Sequence, residues 1–306
     1  MRALPAITLV LALVLAGCGS LGPVTETRQP FSVEQTTQPT EVDDGTTNHG
    51  PQFAIDPADD EVRGVRAMLG AHRKTLVDTS YRVGYAYRAT SENGTVLLAR
   101  TIRGAYAENR SHYLVHRSEN GAALPESGEW DVFADGDRAF VRRTTENGTS
   151  VSVPGLDTTG EPRRPTDLGV FRGRGAVSGD LFQAFAGMNV TSVTELDREP
   201  AGVEGPLYRV ESTTVGDPQL LSDGANATAR NASFEALVTA QGFVVEYRLT
   251  FEMRRADGMW ITVERRLVYR DVGDAIVPRP EWVDEYTAGT NSTTNAPGST
   301  TLMRGP

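Results

Sequence analysis

Apolar and polar residues alternate along much of the chain, with the period of two that is typical of half-buried β-strands. The pattern is clearest in 243–254 and in Trp260–Arg270, which are separated by the turn Asp257-Gly258. Shorter segments of the same kind cover 81–87, 95–106, 112–117, 130–134, 138–145, 149–153, 190–196 and 207–214. Several are joined by Asn-Gly or Asp-Gly turns, which predict an antiparallel meander.

Two segments instead have the spacing of amphipathic helices. The first begins near Asp56, a candidate N-cap, and its apolar stripe is Val62, Val65, Leu69, His72 and Leu76. The second follows Ser178, another candidate N-cap, and its apolar stripe is Leu181, Phe182, Phe185 and Met188. Together the patterns predict an α+β fold, a curved antiparallel sheet of roughly nine or ten strands that forms an incomplete barrel, with two helices on its apolar face.

The N-terminus has the pattern of a targeting segment. A basic residue, Arg2, precedes a short apolar stretch that ends in Leu15-Ala16-Gly17-Cys18. This string resembles the lipobox of prokaryotic lipoproteins, which implies a signal peptide over 1–17 and a lipid anchor on Cys18. An ordinary secretory signal with an incidental cysteine is the alternative. Because Cys18 is the only cysteine of the chain, disulfides and cysteine-rich zinc sites are excluded.

Composition divides the rest of the chain into three parts. Residues 18–55 comprise the cysteine and a segment rich in Thr, Gln, Pro and acidic residues, which predicts a disordered tether. Residues 56–286 hold the alternating segments and predict the globular domain, and 287–306 predict a flexible tail. We therefore expect a lipid-anchored protein on the extracytoplasmic face of the cell membrane.

The charge and the asparagines refine this location. The net charge of −10 disfavours nucleic acid as a partner, and Lys74 is the only lysine, which favours a halophile such as a haloarchaeon over codon bias in another organism. Seven of the ten asparagines begin an Asn-x-Ser/Thr motif, several times the roughly two expected by chance, and predict N-glycosylation. These candidates are Asn93, Asn109, Asn147, Asn189, Asn226, Asn231 and Asn291. At Asn93 and Asn147 the alternative is a plain hairpin turn.

The order of elements resembles that of the LolA/LolB-like fold, which includes the LppX/LprG-like lipoproteins. The likeness lies in a leading helix, a strand meander with the hairpin motif Phe133-Ala134-Asp135-Gly136, a middle helix and late strands around a turn. The ending Val277-Pro278-Arg279-Pro280-Glu281-Trp282 is similar to that of haloarchaeal lipoproteins. The resemblance implies a cavity for lipid chains under helical lids. Leu181, Phe182, Phe185 and Met188 are then lid candidates, with ordinary core packing as the alternative.

The motifs that carry catalysis are missing from the sequence. It has no G-x-S-x-G, no phosphate-binding loop and no H-E-x-x-H, so we expect neither an enzyme nor a cofactor. His112 and His116 have a metal-like spacing, but no third ligand is identifiable, and we predict no metal site. A basic loop with Arg163-Arg164 and Arg172-x-Arg174 is either solvated or a contact for anions.

These observations predict an anchored binding module for a lipid-like or other hydrophobic ligand. The alternative is a glycosylated structural or interaction protein of the cell surface without a ligand cavity. Its protein partners are not predicted by the sequence.

Overall fold

The main element of the structure is one antiparallel sheet of eleven strands. The computed structural model describes residues 53–153, 173–197, 205–221, 228–255 and 257–293. Its strands are β1 (Ala54–Asp56), β2 (Glu61–Arg63), β3 (Tyr81–Ser91), β4 (Val96–Tyr106), β5 (His112–Asn120), β6 (Gly128–Asp135), β7 (Ala139–Thr145), β8 (Gly148–Ser152), β9 (Met188–Asn189), β10 (Ser192–Leu196), β11 (Leu207–Ser212), β12 (Thr214–Val215), β13 (Ala229–Thr239), β14 (Val244–Arg254) and β15 (Trp260–Arg270).

The strand order across this sheet is β10-β11-β13-β14-β15-β3-β4-β5-β6-β7-β8, and the sheet is open because its two end strands do not pair with each other. Two pairs of short strands, β1 with β2 and β9 with β12, lie outside it. Neighbouring strands along the chain mostly pair with each other through tight turns. Gly94 and Gly136 have positive φ in two of the predicted Asn-Gly and Asp-Gly turns, a conformation that glycine adopts without strain.

The two faces of the sheet differ because successive residues of a strand point to opposite sides. In β14, Tyr247, Leu249 and Phe251 are fully buried, whereas Arg248 and Thr250 between them are exposed. We call the face with Tyr247 the front face and the other the back face. The long predicted alternation of β14 and β15 is thus present in the structure.

Four helices accompany the sheet in the described part of the chain. They are α1 (Val65–Thr75), α2 (Gly173–Gly187), α3 (Pro218–Leu221) and α4 (Glu281–Thr293). The first three pack on the front face. Met68 and Leu69 of α1, Leu181 and Phe185 of α2 and Leu221 of α3 share one apolar core with the front-face side chains of the strands.

Helix α4 lies on the back face. Trp282 and Val283 pack against Phe133 of β6 and Phe140 of β7 in a second, smaller core. Val132, next to Phe133 in the strand, belongs to the main core, so the two cores lie on opposite sides of the sheet. The sheet is therefore covered on both faces, each by a different set of helices.

The structure confirms the α+β class and the antiparallel sheet but changes the counts. The sheet has eleven strands rather than nine or ten, because residues 229–239, which were not predicted as a strand, form β13. There are four described helices rather than two. Helix α4 continues to Thr293, past the predicted domain end at residue 286.

The starts of both predicted helices also differ from expectation. Asp56 belongs to β1 and is not a helix cap, because the turn between β1 and β2 reverses the chain with Asp60 at positive φ. Helix α1 begins only after Gly64, which has a φ of 67°. Helix α2 begins at Gly173, so Ser178 lies inside the helix rather than at its N-cap.

Candidate functional site

A cavity of about 240 Å³ opens on the front face beside β3, β4, β14 and β15. Most of its lining is apolar, and it includes Ala89, Leu97, Leu98, Leu221, Met253 and Ile261. Leu221 belongs to α3, so this short helix forms part of the cavity wall above the sheet. Two arginines, Arg255 and Arg265, interrupt the apolar lining.

Arg265 places a buried positive charge in the wall of the cavity. Its position in β15, between the front-face residues Val263 and Leu267, directs it into the core, where its side chain is 8% exposed. The guanidinium donates from Nη1 to Gln183 Oε1 at 2.9 Å and from Nη2 to the Leu221 carbonyl at 3.3 Å. Its Nε has no hydrogen-bond partner among the described residues. Because arginine stays protonated in proteins, the site holds a permanent cation with an open donor.

The carboxylate that faces this guanidinium, Asp180 of α2, is held mainly by a tyrosine. Asp180 Oδ1 is 3.5 Å from Arg265 Nη1, which is longer than an ordinary N–H···O hydrogen bond. The other oxygen, Oδ2, accepts a hydrogen bond from the Tyr85 hydroxyl. Burial, reinforced by the nearby Asp180, raises the pKa of Tyr85 well above its ordinary value, so the hydroxyl stays a donor. Arg265 and Asp180 therefore form a buried ion pair, while the closer hydrogen bond of Asp180 goes to Tyr85.

A second polar atom without a partner lies in the same region. Tyr247 is fully buried, and its hydroxyl has no hydrogen-bond partner in the described part of the chain. Burial and the nearby Asp180 raise its pKa far above the ordinary value, so the group is a neutral O–H. Arg265 is paired in register with Leu249, which makes Tyr247 its diagonal neighbour on the next strand, with Cα atoms about 7–8 Å apart. Tyr247 lies beside the cavity rather than in its lining.

A charged row continues the front face next to the cavity. Arg100 is paired in register with Tyr87, which lines the cavity, and it donates to Glu119, whose carboxylate also accepts from Arg117 at 2.6 Å. Burial works to raise the pKa of the Glu119 carboxyl, but the two arginine hydrogen bonds outweigh it and hold the pKa below its ordinary value. Glu119 is thus ionised and paired, and it gives the apolar cavity a polar border.

The predicted lid residues lie close to this site but do not line it. Leu181, Phe185 and Met188 are buried in the main core, and Phe182 is half-buried with the Arg66 guanidinium 5.7 Å from its ring centroid. None of these four belongs to the lining of the 240 Å³ cavity. Their packing is that of ordinary core residues, the alternative interpretation of this stripe.

The side chains of α2 that do reach the site are Asp180 and Gln183, which sequence reasoning missed. They are three residues apart and so lie on the same side of the helix. The signal was present, because Gln183 is a polar residue within the apolar run 181–185 and Asp180 directly precedes that run.

Five of the predicted glycosylation sites lie at exposed positions of the structure. These are Asn93, Asn109, Asn147, Asn189 and Asn231. Asn226 lies outside the described residues, and Asn291 lies in α4. At Asn93 the side-chain oxygen accepts hydrogen bonds within its turn, which leaves the amide nitrogen, the atom that carries an N-linked glycan, outside those bonds. Cys18 and the basic residues Arg163, Arg164 and Arg172 also lie outside the described residues.

The two histidines with metal-like spacing lie on the back face, away from the cavity. His116 Nδ1 is 2.8 Å from Asp131 Oδ1, and Arg142 donates to Asp131 Oδ2 at 2.9 and 2.7 Å. His112 instead packs edge-on against Phe133. Within the described ranges, no group of three or more His, Cys, Asp or Glu side chains is arranged to hold a metal ion.

A larger depression, of about 440 Å³, lies among the loops at Ser80, Ala107–Asn109 and 273–275. It is wide open, and its charged lining residues Glu108 and Asp274 are exposed. Since its charged groups are solvated, we consider the smaller cavity with the buried Arg265 the better candidate site. No helix in the described part of the chain is long and apolar enough to cross a bilayer.

No family model matches the chain, and no curated protein matches it. Among solved structures, a DUF1329 family protein from Desulfovibrio piger ATCC 29098 is similar to it, with 11% identity, a TM-score of 0.23, and coverage of 76% of this chain and 99% of that chain. A TM-score this low carries no argument for fold or function.

Proposed function

We propose that this protein is a membrane-anchored extracytoplasmic lipoprotein whose globular part binds a lipid-like or other hydrophobic ligand. The observation that carries the proposal is the 240 Å³ cavity, with its apolar lining and the buried Arg265 in its wall. Binding sites for small molecules are typically concave and apolar with a few placed polar groups. The anchor part of the proposal rests on the lipobox-like string that ends in Cys18.

The lining explains why a hydrophobic ligand would be favoured. Apolar surface that remains in contact with water costs free energy, roughly 25 cal/mol per Å², and a ligand that covers it regains this amount. Ala89 and Ile261 at the base of the cavity are nearly fully buried, whereas Leu97, Leu98 and Met253 at its wall are only half-buried. An alkyl chain would complete the burial of those three side chains.

A blocking substitution tests this proposal. Leu98→Trp adds a large ring inside the cavity, whereas Thr101→Trp adds the same ring to the exposed back face of the same strand. We expect the unaltered chain and Thr101→Trp, each extracted mildly from membranes, to carry a bound lipid in native mass spectrometry, and Leu98→Trp to have lost it. Circular dichroism verifies that both variants are folded.

Two results would count against binding in this cavity. One is an unaltered chain that carries no lipid and takes up none from vesicles. The other is a folded Leu98→Trp variant that retains as much lipid as the Thr101→Trp control.

The exposed asparagines favour a second candidate function, that of a glycosylated protein of the cell surface that makes structural or protein contacts. Five of the candidates are exposed at turns or near strand ends, namely Asn93, Asn109, Asn147, Asn189 and Asn231. Glycopeptide mass spectrometry and cross-linking on whole cells test this function. Unmodified asparagines together with no cross-linked neighbour would remove its basis.

A further inference from the structure

The buried polar atoms beside the cavity indicate the head group of its ligand. We propose that the ligand is an anionic single-chain amphiphile, with its carboxylate against Arg265 and its alkyl chain along the apolar lining. This inference rests on the proposed binding of a hydrophobic ligand and goes on to specify the ligand's charge, acid group and number of chains.

The negative charge of the ligand follows from the buried positive charge of Arg265 and the groups around it. A buried charge is costly unless it is paired and hydrogen-bonded. The hydrogen bonds of its guanidinium under 3.5 Å go to two neutral oxygens, those of Gln183 and the Leu221 carbonyl. Asp180, at 3.5 Å, is bound more closely by Tyr85. Asp180 forms the ion pair of Arg265 from the side of α2, but both charged residues of the cavity lining are arginines, so an anion in the cavity would face only positively charged side chains.

The carboxylate head group of the ligand follows from the number of Arg265 N–H donors that have no partner. A guanidinium carries five N–H donors, two on each Nη and one on Nε. Nη1 faces Gln183 and Asp180, Nη2 donates once to the Leu221 carbonyl, and Nε has no partner among the described residues, so the Nε–H and one N–H of Nη2 remain open. Two donors of one guanidinium match the two oxygens of a carboxylate, whereas a phosphate monoester has three oxygens and a larger charge to satisfy.

The number of alkyl chains in the ligand follows from the volume of the cavity. A cavity of about 240 Å³ lies below the range of about 300–1,000 Å³ that is usual for drug-sized ligands, so it has room for one alkyl chain of moderate length. Arg255, the other arginine of the lining, is 40% exposed and paired with Asp257 at 3.3 Å. It places additional positive charge at the solvated side of the cavity.

The test compares head groups on a constant chain. Isothermal titration calorimetry is carried out on the full-length chain, made by cell-free synthesis so that Cys18 carries no lipid, with decanoate, 1-decanol, decyl phosphate and decyltrimethylammonium as probes. We expect decanoate to bind about 10- to 100-fold more tightly than decanol, which is what a hydrogen bond to a charged group contributes. Decyl phosphate should bind more weakly than decanoate, and the cation most weakly.

Arg265→Gln and Arg266→Gln form a matched pair of variants. Arg266 is the next residue of β15, but it faces the back of the sheet, is 46% exposed and pairs with Glu246 at 2.9 Å. We expect Arg265→Gln to abolish the preference for decanoate over decanol and Arg266→Gln to retain it. The ratio of the two affinities within one variant does not depend on how much of the protein is folded.

The unaltered chain alone decides the proposal if Arg265→Gln does not fold. Equal affinities for decanoate and decanol would overturn the anionic head group while leaving the proposed hydrophobic binding intact. Tighter binding of decyl phosphate would overturn the carboxylate. If none of the four probes binds, the proposed function fails and this inference fails with it.

Discussion

Mild acid should destabilise this fold through a single buried histidine. His72 of α1 is 2% exposed and lies against the ring of Phe243, with centroids 5.1 Å apart. Its Nδ1 accepts the backbone N–H of Val244 at 3.2 Å, and its Nε2 lies 3.4 Å from the Tyr269 hydroxyl. Since Nδ1 is an acceptor, the ring is neutral in this arrangement, and protonation would break the bond to Val244.

The size of the effect follows from the pKa. Burial, with a smaller contribution from Arg73, lowers the pKa of His72 from 6.5 to about 3. Below pH 6.5 the unfolded chain therefore takes up a proton that the folded chain refuses, and the free energy of unfolding falls as the pH falls. The slope is about 1.4 kcal/mol per pH unit, so the loss between pH 7 and pH 5 is about 2 kcal/mol. Above pH 6.5 this contribution is constant.

Urea unfolding at pH 5, 6 and 7, at constant salt, measures the loss directly. His72→Asn removes the titrating group while its amide oxygen can still accept from Val244. We expect this variant to be less stable at every pH but to lack the slope that is due to His72. Arg73→Gln, the matched control on the same helix, removes only the smaller cause of the shift and should retain most of the slope.

A parallel fall in the stabilities of the unaltered chain and His72→Asn between pH 7 and pH 5 would show that His72 is not the cause of the slope. If Arg73→Gln removed the slope, burial would not be the main reason for the low pKa of His72. Above pH 5 most exposed carboxyl groups stay ionised, so they contribute little to this comparison.

Three further predictions follow from local geometry. Gly187→Ala should destabilise the protein by about 1–3 kcal/mol in urea unfolding, because the added Cβ would lie 2.7 Å from Leu221 Cδ2. The control is Gly179→Ala on the same helix, where the added Cβ would have no atom within 4 Å, and this variant should be neutral or more stable by up to about 1 kcal/mol. Trp282→Ala should cost about 3–5 kcal/mol in the same measurement, because this 8% exposed ring anchors α4 to the back face. Cys18→Ser should shift the protein from the membrane fraction to the medium or block its processing, and unchanged membrane retention on cell fractionation would contradict the lipid anchor.

The parts of the fold that could be predicted are those whose signals are local. From Tyr247 to Arg254 of β14 and from Ile261 to Glu264 of β15 each apolar residue is followed by a polar one. The glycine of the Asp257-Gly258 turn has the positive φ that the turn requires. The period of two and the turn residue are both contained within a few positions of the chain. Neither depends on what the strand packs against.

Strand β13 was not predicted because the alternation of apolar and polar residues along it is weak. Its buried apolar residues are Ala232, Phe234, Ala236 and Val238, and two of these are alanines, which contrast little with the polar positions between them. The Asn-x-Ser/Thr motifs at its start also favoured an exposed loop. In the structure Asn231 is indeed exposed at positive φ, next to a shift in the pairing with β14, and the paired strand continues directly after it.

The candidate site could not be assembled from the sequence because its parts are far apart. Asp180 and Arg265 are 85 positions from each other, and Tyr85 is 95 positions from Asp180. Yet one signal was local. Ile261, Val263, Leu267 and Tyr269 are all buried on the front face, and Arg265 is the charged residue in the middle of that series. A strand tolerates a charge at such a position only if other elements supply polar partners, as Gln183 and α3 do here. Where that supply is incomplete, as it is at Arg265 Nε, the break in the apolar pattern is the local signal of the candidate site, and the apolar residues around it carry no such signal.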